Sequence, residues 1–89
     1  MNIIELHQNL QKLGVGESNY CLNGELKNDA IVLYPNYAKW EVFYMDERYK
    51  KRDEKVFFSE SDACEYVLEK FKGLLETEKR FGITSLRPK

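Results

Sequence analysis

Between Lys39 and Tyr66 the chain reads KWEVFYMDERYKKRDEKVFFSESDACEY. An alternating aromatic segment runs into a turn crowded with both charge signs, then a second short aromatic segment, then a strongly capped helix start. No other stretch constrains the fold as much. Apolar alternation of period two marks strands, and its switch to a helical period marks a strand leading directly into a helix. Residues 38–46 form the longest expected strand, with Trp40, Val42 and Tyr44 on one face and Glu41, Phe43 and Met45 on the other. Neither face is purely polar. Arg48 to Asp53 read as a charged loop, and Lys55 to Phe58 return as a strand.

The flanks complete an α+β pattern. Residues 2–13 read as a helix with Asn2 as its cap and Glu5 three residues on. Ile3, Leu6, Leu10 and Leu13 make one apolar stripe, and Gly14 and Gly16 end it. Tyr20 to Leu22 are a short strand, Asn23-Gly24 a hairpin-turn pair, and Asn28-Asp29 a second turn. Ala30 to Tyr34 form a continuous apolar run suited to a central strand, closed by Pro35 and Asn36. Ser59 caps the last helix, whose stripe of Cys64, Val67, Leu68, Phe71, Leu74 and Leu75 runs toward Arg80 with Gly82 as the stop. Ile83 to Leu86 read as a short extra strand or a packed tail. The expected architecture is helix, an antiparallel meander of three or four strands, and a C-terminal helix (α-β-β-β-(β)-α). Both helices are expected to pack on one sheet face.

A chain of 89 residues is read as one domain, residues 1–89, with one modest core. Lys+Arg 14 and Asp+Glu 15 nearly cancel, so the net charge of −1 gives no general attraction to phosphate backbones. Nucleic acid is not the expected partner. No apolar run reaches the roughly 20 residues that cross a bilayer, and the N-terminal segment does not read as a signal peptide. A cytoplasmic location is expected. Cys21 and Cys64 are too isolated for a disulfide framework or a zinc knuckle and read as small apolar residues.

No residue set suggests bond-making. His7 is the one histidine and lies beside the first helix's apolar stripe. One His and two distant Cys cannot supply a zinc site, and Gly14-x-Gly16 lacks the rest of a phosphate loop. The chain is therefore expected to be no enzyme, with no catalytic residues, no cofactor and no metal. The RYKKRD loop with the α-β-β-β-α order allows a small double-stranded-RNA-binding module as an alternative. Against it, the helix start Ser59-Glu60-Ser61-Asp62 would repel phosphate, and acids flank the loop's cations. A regulatory adaptor is a further alternative. Twelve aromatic residues exceed what a small sheet hides, so Tyr34, Tyr37, Tyr44, Tyr49 and Tyr66 are expected to include exposed ones. Exposed tyrosines among mixed charges are the composition of docking surfaces.

The run W-E-V-F-Y-x-D-E-R, a charged turn and V-F-F-S-E-S-D-A-C-E-Y-V resembles small immunity proteins of bacterial polymorphic-toxin and contact-dependent growth-inhibition systems. Such proteins carry a W-x-V-x-Y-x-E-R-G strand end and an F-x-[ST]-E-x-[ED]-A-C-x-Y helix start. The match covers residues 39–68 and departs at Tyr49, where a glycine often follows the Glu-Arg pair. The resemblance implies binding of a cognate toxin C-terminal domain, expected to be a nuclease, and occlusion of its active site or substrate groove. The contacts it suggests are Glu41, Asp46, Glu47, Arg48, Tyr49 and Asp53 at the strand end and turn. Glu60, Asp62 and Tyr66 join them at the helix start. Tyrosines and Arg48 would anchor the partner, and the carboxylates would supply specificity.

Overall fold

The computed structural model describes residues 1–82, so the strand or tail expected over Ile83 to Leu86 lies outside the described residues. The α+β order is present. Helix α1 (Ile3–Lys12) is followed by a single 3-10 turn at Glu17–Asn19 and by strands β1 (Tyr20–Cys21), β2 (Ala30–Asn36), β3 (Lys39–Met45) and β4 (Lys51–Phe57). Helix α2 (Glu60–Phe81) closes the chain. The strands lie in sequence order across one sheet, with β2–β3 and β3–β4 antiparallel.

Both helices start where the caps require. The Asn2 side chain accepts the Glu5 N–H at 2.8 Å, and Ser59 Oγ accepts the Asp62 N–H at 3.4 Å. Each helix ends on a residue pair that includes a left-handed glycine, Gly14 at φ 81° and Gly82 at φ 70°. The two helix starts are also joined. The Ile3 N–H, which no helical carbonyl can reach, donates to Glu60 Oε1 at 3.0 Å, and the Met1 ammonium donates to Ser61 Oγ at 3.1 Å.

The helices cover one sheet face. Leu6 and Leu10 of α1, Ala63, Cys64, Val67 and Phe71 of α2, and Ile31, Leu33 and Val42 of the sheet share one buried cluster. Trp40, Tyr44 and Phe57 pack at its margin. Burying a side chain such as Val67 or Phe71 contributes on the order of 1.5–3 kcal/mol, and α2 places Cys64, Val67 and Phe71 at helical spacing. The alternation of β3 is realised, because Phe43 and Met45 point away from the helices and form a second small cluster with Val32. Lys51 lies over the Phe43 ring, its Nζ 4.8 Å from the centroid.

Two sequence expectations are corrected. Asn23-Gly24 does turn the chain, with Gly24 at φ 83°, yet it makes no hairpin because β1 pairs parallel with β2. The turn at Asn28-Asp29, with Asp29 at φ 55°, reverses the chain a second time, and two reversals restore the original direction. The loop expected over Arg48 to Asp53 is the second correction. Strand β4 begins at Lys51, and the turn is confined to the residues before it. Lys51 to Val56 are all exposed, so this edge strand shows no apolar alternation to betray it. Asp53, at φ 53°, marks a bulge opposite Phe43, where the register with β3 shifts. A charged, bulged edge discourages pairing with other chains.

Candidate functional site

The nine residues singled out from the sequence fall at two ends of the sheet. Strand β3 carries seven residues, so its ends lie about 20 Å apart. Asp46, Glu47, Arg48 and Tyr49 form the turn after Met45, with Asp53 nearby on β4. Glu60, Asp62 and Tyr66 belong to the first turns of α2 at the opposite end. Glu41 sits near that second end, paired with Tyr34 and Val56. Its Oε2 accepts from Asn36 Nδ2 at 3.0 Å.

At the turn, the Tyr49 N–H donates to the Asp46 carbonyl at 3.0 Å, and the Asp46 N–H donates to the Lys50 carbonyl at 3.0 Å. Tyr49 takes φ 61°, the left-handed conformation that follows a tight turn of this kind and is usually given to glycine. The departure noted in the sequence therefore falls on a backbone that still requires the glycine conformation. The Asp46 carboxylate holds the turn from inside. Its Oδ1 accepts the Arg48 and Lys50 N–H groups, both at 2.9 Å, and its Oδ2 accepts from Arg52 Nε at 3.1 Å. The Lys50 and Arg48 backbone donors, with the Arg52 guanidinium, hold its carboxyl below the usual carboxylate range. Only 15% of the Asp46 side chain is exposed. Asp46 thus supports the turn rather than facing outward, while Glu47, Arg48 and Tyr49 are exposed around it.

Similar sorting holds at the helix start. Glu60 is committed to the Ile3 N–H. Tyr66 is half-buried, tilted against Phe57 with ring centroids 5.2 Å apart, and Lys70 Nζ lies 5.8 Å from its centroid. Asp62 remains exposed. Asp53 faces Lys70 of α2 at 4.0 Å in a solvent-screened pair. Of the five tyrosines expected to include exposed ones, Tyr37 and Tyr49 are exposed and Tyr34, Tyr44 and Tyr66 are partly covered. The Tyr44 hydroxyl donates to Asp29 Oδ1 at 3.4 Å. Burial first, and then the Asp29, Asp46 and Glu47 carboxylates, push its pKa up.

Sequence reasoning named Tyr37 among the candidate exposed tyrosines and missed its neighbour Phe58. Tyr37, at the tip of the β2–β3 hairpin, stands wholly in solvent at φ 58°. Phe58, 80% exposed, borders the same shallow hollow as Tyr37, Ala38 and Lys39. The available signal was Phe58 itself, which follows Phe57 directly and so points to the opposite face from it.

His7 lies on α1 with Nδ1 2.9 Å from the Tyr20 hydroxyl and Nε2 3.7 Å from Glu17 Oε1. Its ring meets Tyr20 edge-on at 5.8 Å between centroids. Burial, and then Glu17, push the Tyr20 pKa up. Cys64 is fully buried, and that burial, reinforced by the Glu60 carboxylate, pushes its thiol up to about 11. No group of three or more His, Cys, Asp or Glu side chains among the described residues could hold a metal ion. No helix among them is long and apolar enough to cross a membrane. Comparison of the chain with protein-family models, with curated proteins and with solved structures found no match.

Proposed function

We propose that this protein is a docking module of the immunity type, which binds a cognate toxin domain, a nuclease, and blocks its active site or substrate groove. The observation that supports this reading most directly is Tyr49. A tyrosine in the left-handed region costs on the order of 1–2 kcal/mol relative to an ordinary conformation. The residue is 58% exposed, so packing returns little of that cost. The turn beneath it is fixed by three hydrogen bonds to one carboxylate. A rigidly presented, solvent-facing tyrosine loses little side-chain entropy when a partner covers it. Glu47 and Arg48 flank it, and the resemblance over residues 39–68 points to the same strand end.

Within this reading the contacts are Glu47, Arg48 and Tyr49, with Asp53 and Asp62 as outlying carboxylates. Asp46, Glu60 and Glu41 have internal partners and act as supports. The acidic side chains exposed to a basic nuclease cleft are therefore Glu47, Asp62 and, in its screened pair with Lys70, Asp53.

The test is co-expression with the toxin domain encoded beside this chain's gene. The E47A/R48A/Y49A variant keeps Asp46, and with it the turn. It should fold normally, bind the toxin domain at least about tenfold more weakly, and fail to protect growth. Full protection by that variant would reject the surface, and the lack of any neighbouring toxin domain that this protein neutralises would reject the role.

A further inference from the structure

A groove of about 570 Å³ lies between α1 and the segment from Glu17 to Lys27, within the size range of ligand-binding clefts. Four consecutive residues line it, Tyr20, Cys21, Leu22 and Asn23. Tyr20 and Leu22 belong to the helix-covered core, whereas Cys21 packs with the cluster on the other face. The Tyr20 hydroxyl reaches the His7 wall, and because neighbouring side chains of β1 point to opposite faces, the four residues together bring the strand's backbone edge to the groove. The wall is therefore the outer edge of β1. Strand β2 occupies the other edge, and no described strand pairs with β1 on this side. An open strand edge beside a helix is the arrangement in which an added extended peptide finds main-chain partners.

The remaining walls say what such a segment would carry. Ile4 of α1, 70% exposed, and Leu26, 53% exposed, both border the groove and leave apolar surface to be covered. Its carboxylates are Glu17 and Glu25. The one lysine, Lys27, already donates its ammonium to the Glu17 carbonyl at 3.0 Å. His7 is engaged by the Tyr20 hydroxyl. Glu17 Oε1 is shared with Gln11 Nε2 at 3.2 Å and His7 Nε2 at 3.7 Å, so its second oxygen and the Glu25 carboxylate are what favour a basic side chain in the incoming segment.

We infer that this groove takes an extended segment of a protein partner, added as a strand along β1. One apolar side chain of the segment covers Ile4 and Leu26, and a lysine or arginine lies against Glu17 and Glu25. The groove is on the opposite edge of the sheet from β4, and the inference does not depend on the role of the Tyr49 turn.

The probe is a phage-displayed library of random octapeptides panned on the immobilised full chain. Enriched sequences should combine apolar and basic positions. An enriched peptide, synthesised with a fluorescent label, should shift amide resonances in residues 3–7 and 20–27 of the isotope-labelled protein. The I4K/L26K variant, changed at two exposed positions, should weaken that peptide at least about tenfold, and E25K severalfold. E47A/R48A/Y49A should leave its affinity unchanged, which separates this site from the turn. The inference is overturned by a library that yields no enrichment. It is equally overturned by peptides indifferent to both groove variants, or by peptides displaced to the turn. Concentration-dependent shifts of the same amides without peptide would also overturn it, by assigning the groove to a second copy of the chain.

Discussion

The two hairpin tips solve the same backbone problem in different ways. Each puts a tyrosine in the left-handed region, Tyr37 at φ 58° and Tyr49 at φ 61°. At the first tip, two residues join Asn36 to Lys39, and the side-chain bond from Asn36 runs back to Glu41 on the strand rather than into the turn. At the second, the Asp46 carboxylate gathers two backbone N–H groups and a guanidinium. Equal local strain therefore coexists with unequal support. Strain marks where a chain departs from its cheapest conformation, and support decides whether the departure is held in one geometry.

The largest break in this comparison should come from Asp46→Ala. It orphans three donors at once, so the amides of residues 46–52 should exchange at least about tenfold faster while those flanking Tyr37 stay unchanged. Equal acceleration at both tips would mean that Asp46 supports the whole sheet. A smaller effect is expected in acid. The folded Asp46 carboxyl titrates below its usual value, so the stability it contributes is present above about pH 4 and is lost as the pH falls through its lowered folded value. The second tip should open first on acidification, and Asp46→Asn should flatten that part of the pH profile.

Smaller again are the glycine substitutions. Tyr49→Gly and Tyr37→Gly relieve the left-handed cost but loosen the unfolded chain, for a net gain of about 0.5–1 kcal/mol in denaturant unfolding. Gly73→Ala gives a yardstick in a helix. That glycine faces open space, and alanine there should add up to about 1 kcal/mol. A gain at Tyr37 but none at Tyr49 would show that the Asp46 cage prefers the tyrosine. The smallest effect is a null one at the tips. At pH 8 a thiol reagent should modify the half-buried Cys21 and spare Cys64, whose thiol is held near 11, and the modified protein should show both tips unchanged by hydrogen exchange.

How legible these features were depended on whether a residue's side chain or its surroundings decided the outcome. Asn2 and Ser59 could be read as caps because their oxygens act on their own next turn. The apolar run of β2 and the stripe of α2 could be read because burial is periodic along one element. Asp46 and Glu47 are adjacent acids on one turn, and nothing local assigns the inner place to the first. That sorting needs Arg52 brought across the hairpin. Glu60 looks like an ordinary acid at a helix start until Ile3, far away along the chain, is placed beside it. The beginning of β4 was hidden because a solvated edge strand carries charges on both faces. The direction of β1 was hidden because two turns, each correctly placed, cancel. Tyr37 and Tyr49 could not be read as left-handed because tyrosine has no preference for that region.

The bond from the Ile3 amide to Glu60 spans 57 positions, and with the Met1–Ser61 bond and the shared core it seats the first helix against the last. During synthesis the first helix has no lasting partner until Glu60 and the helix behind it have emerged, since contacts this distant form late and slowly. A nick between α1 and β1 would therefore strip the first helix of its partners, while Ile31, Leu33, Val42, Val67 and Phe71 would stay together in the longer fragment.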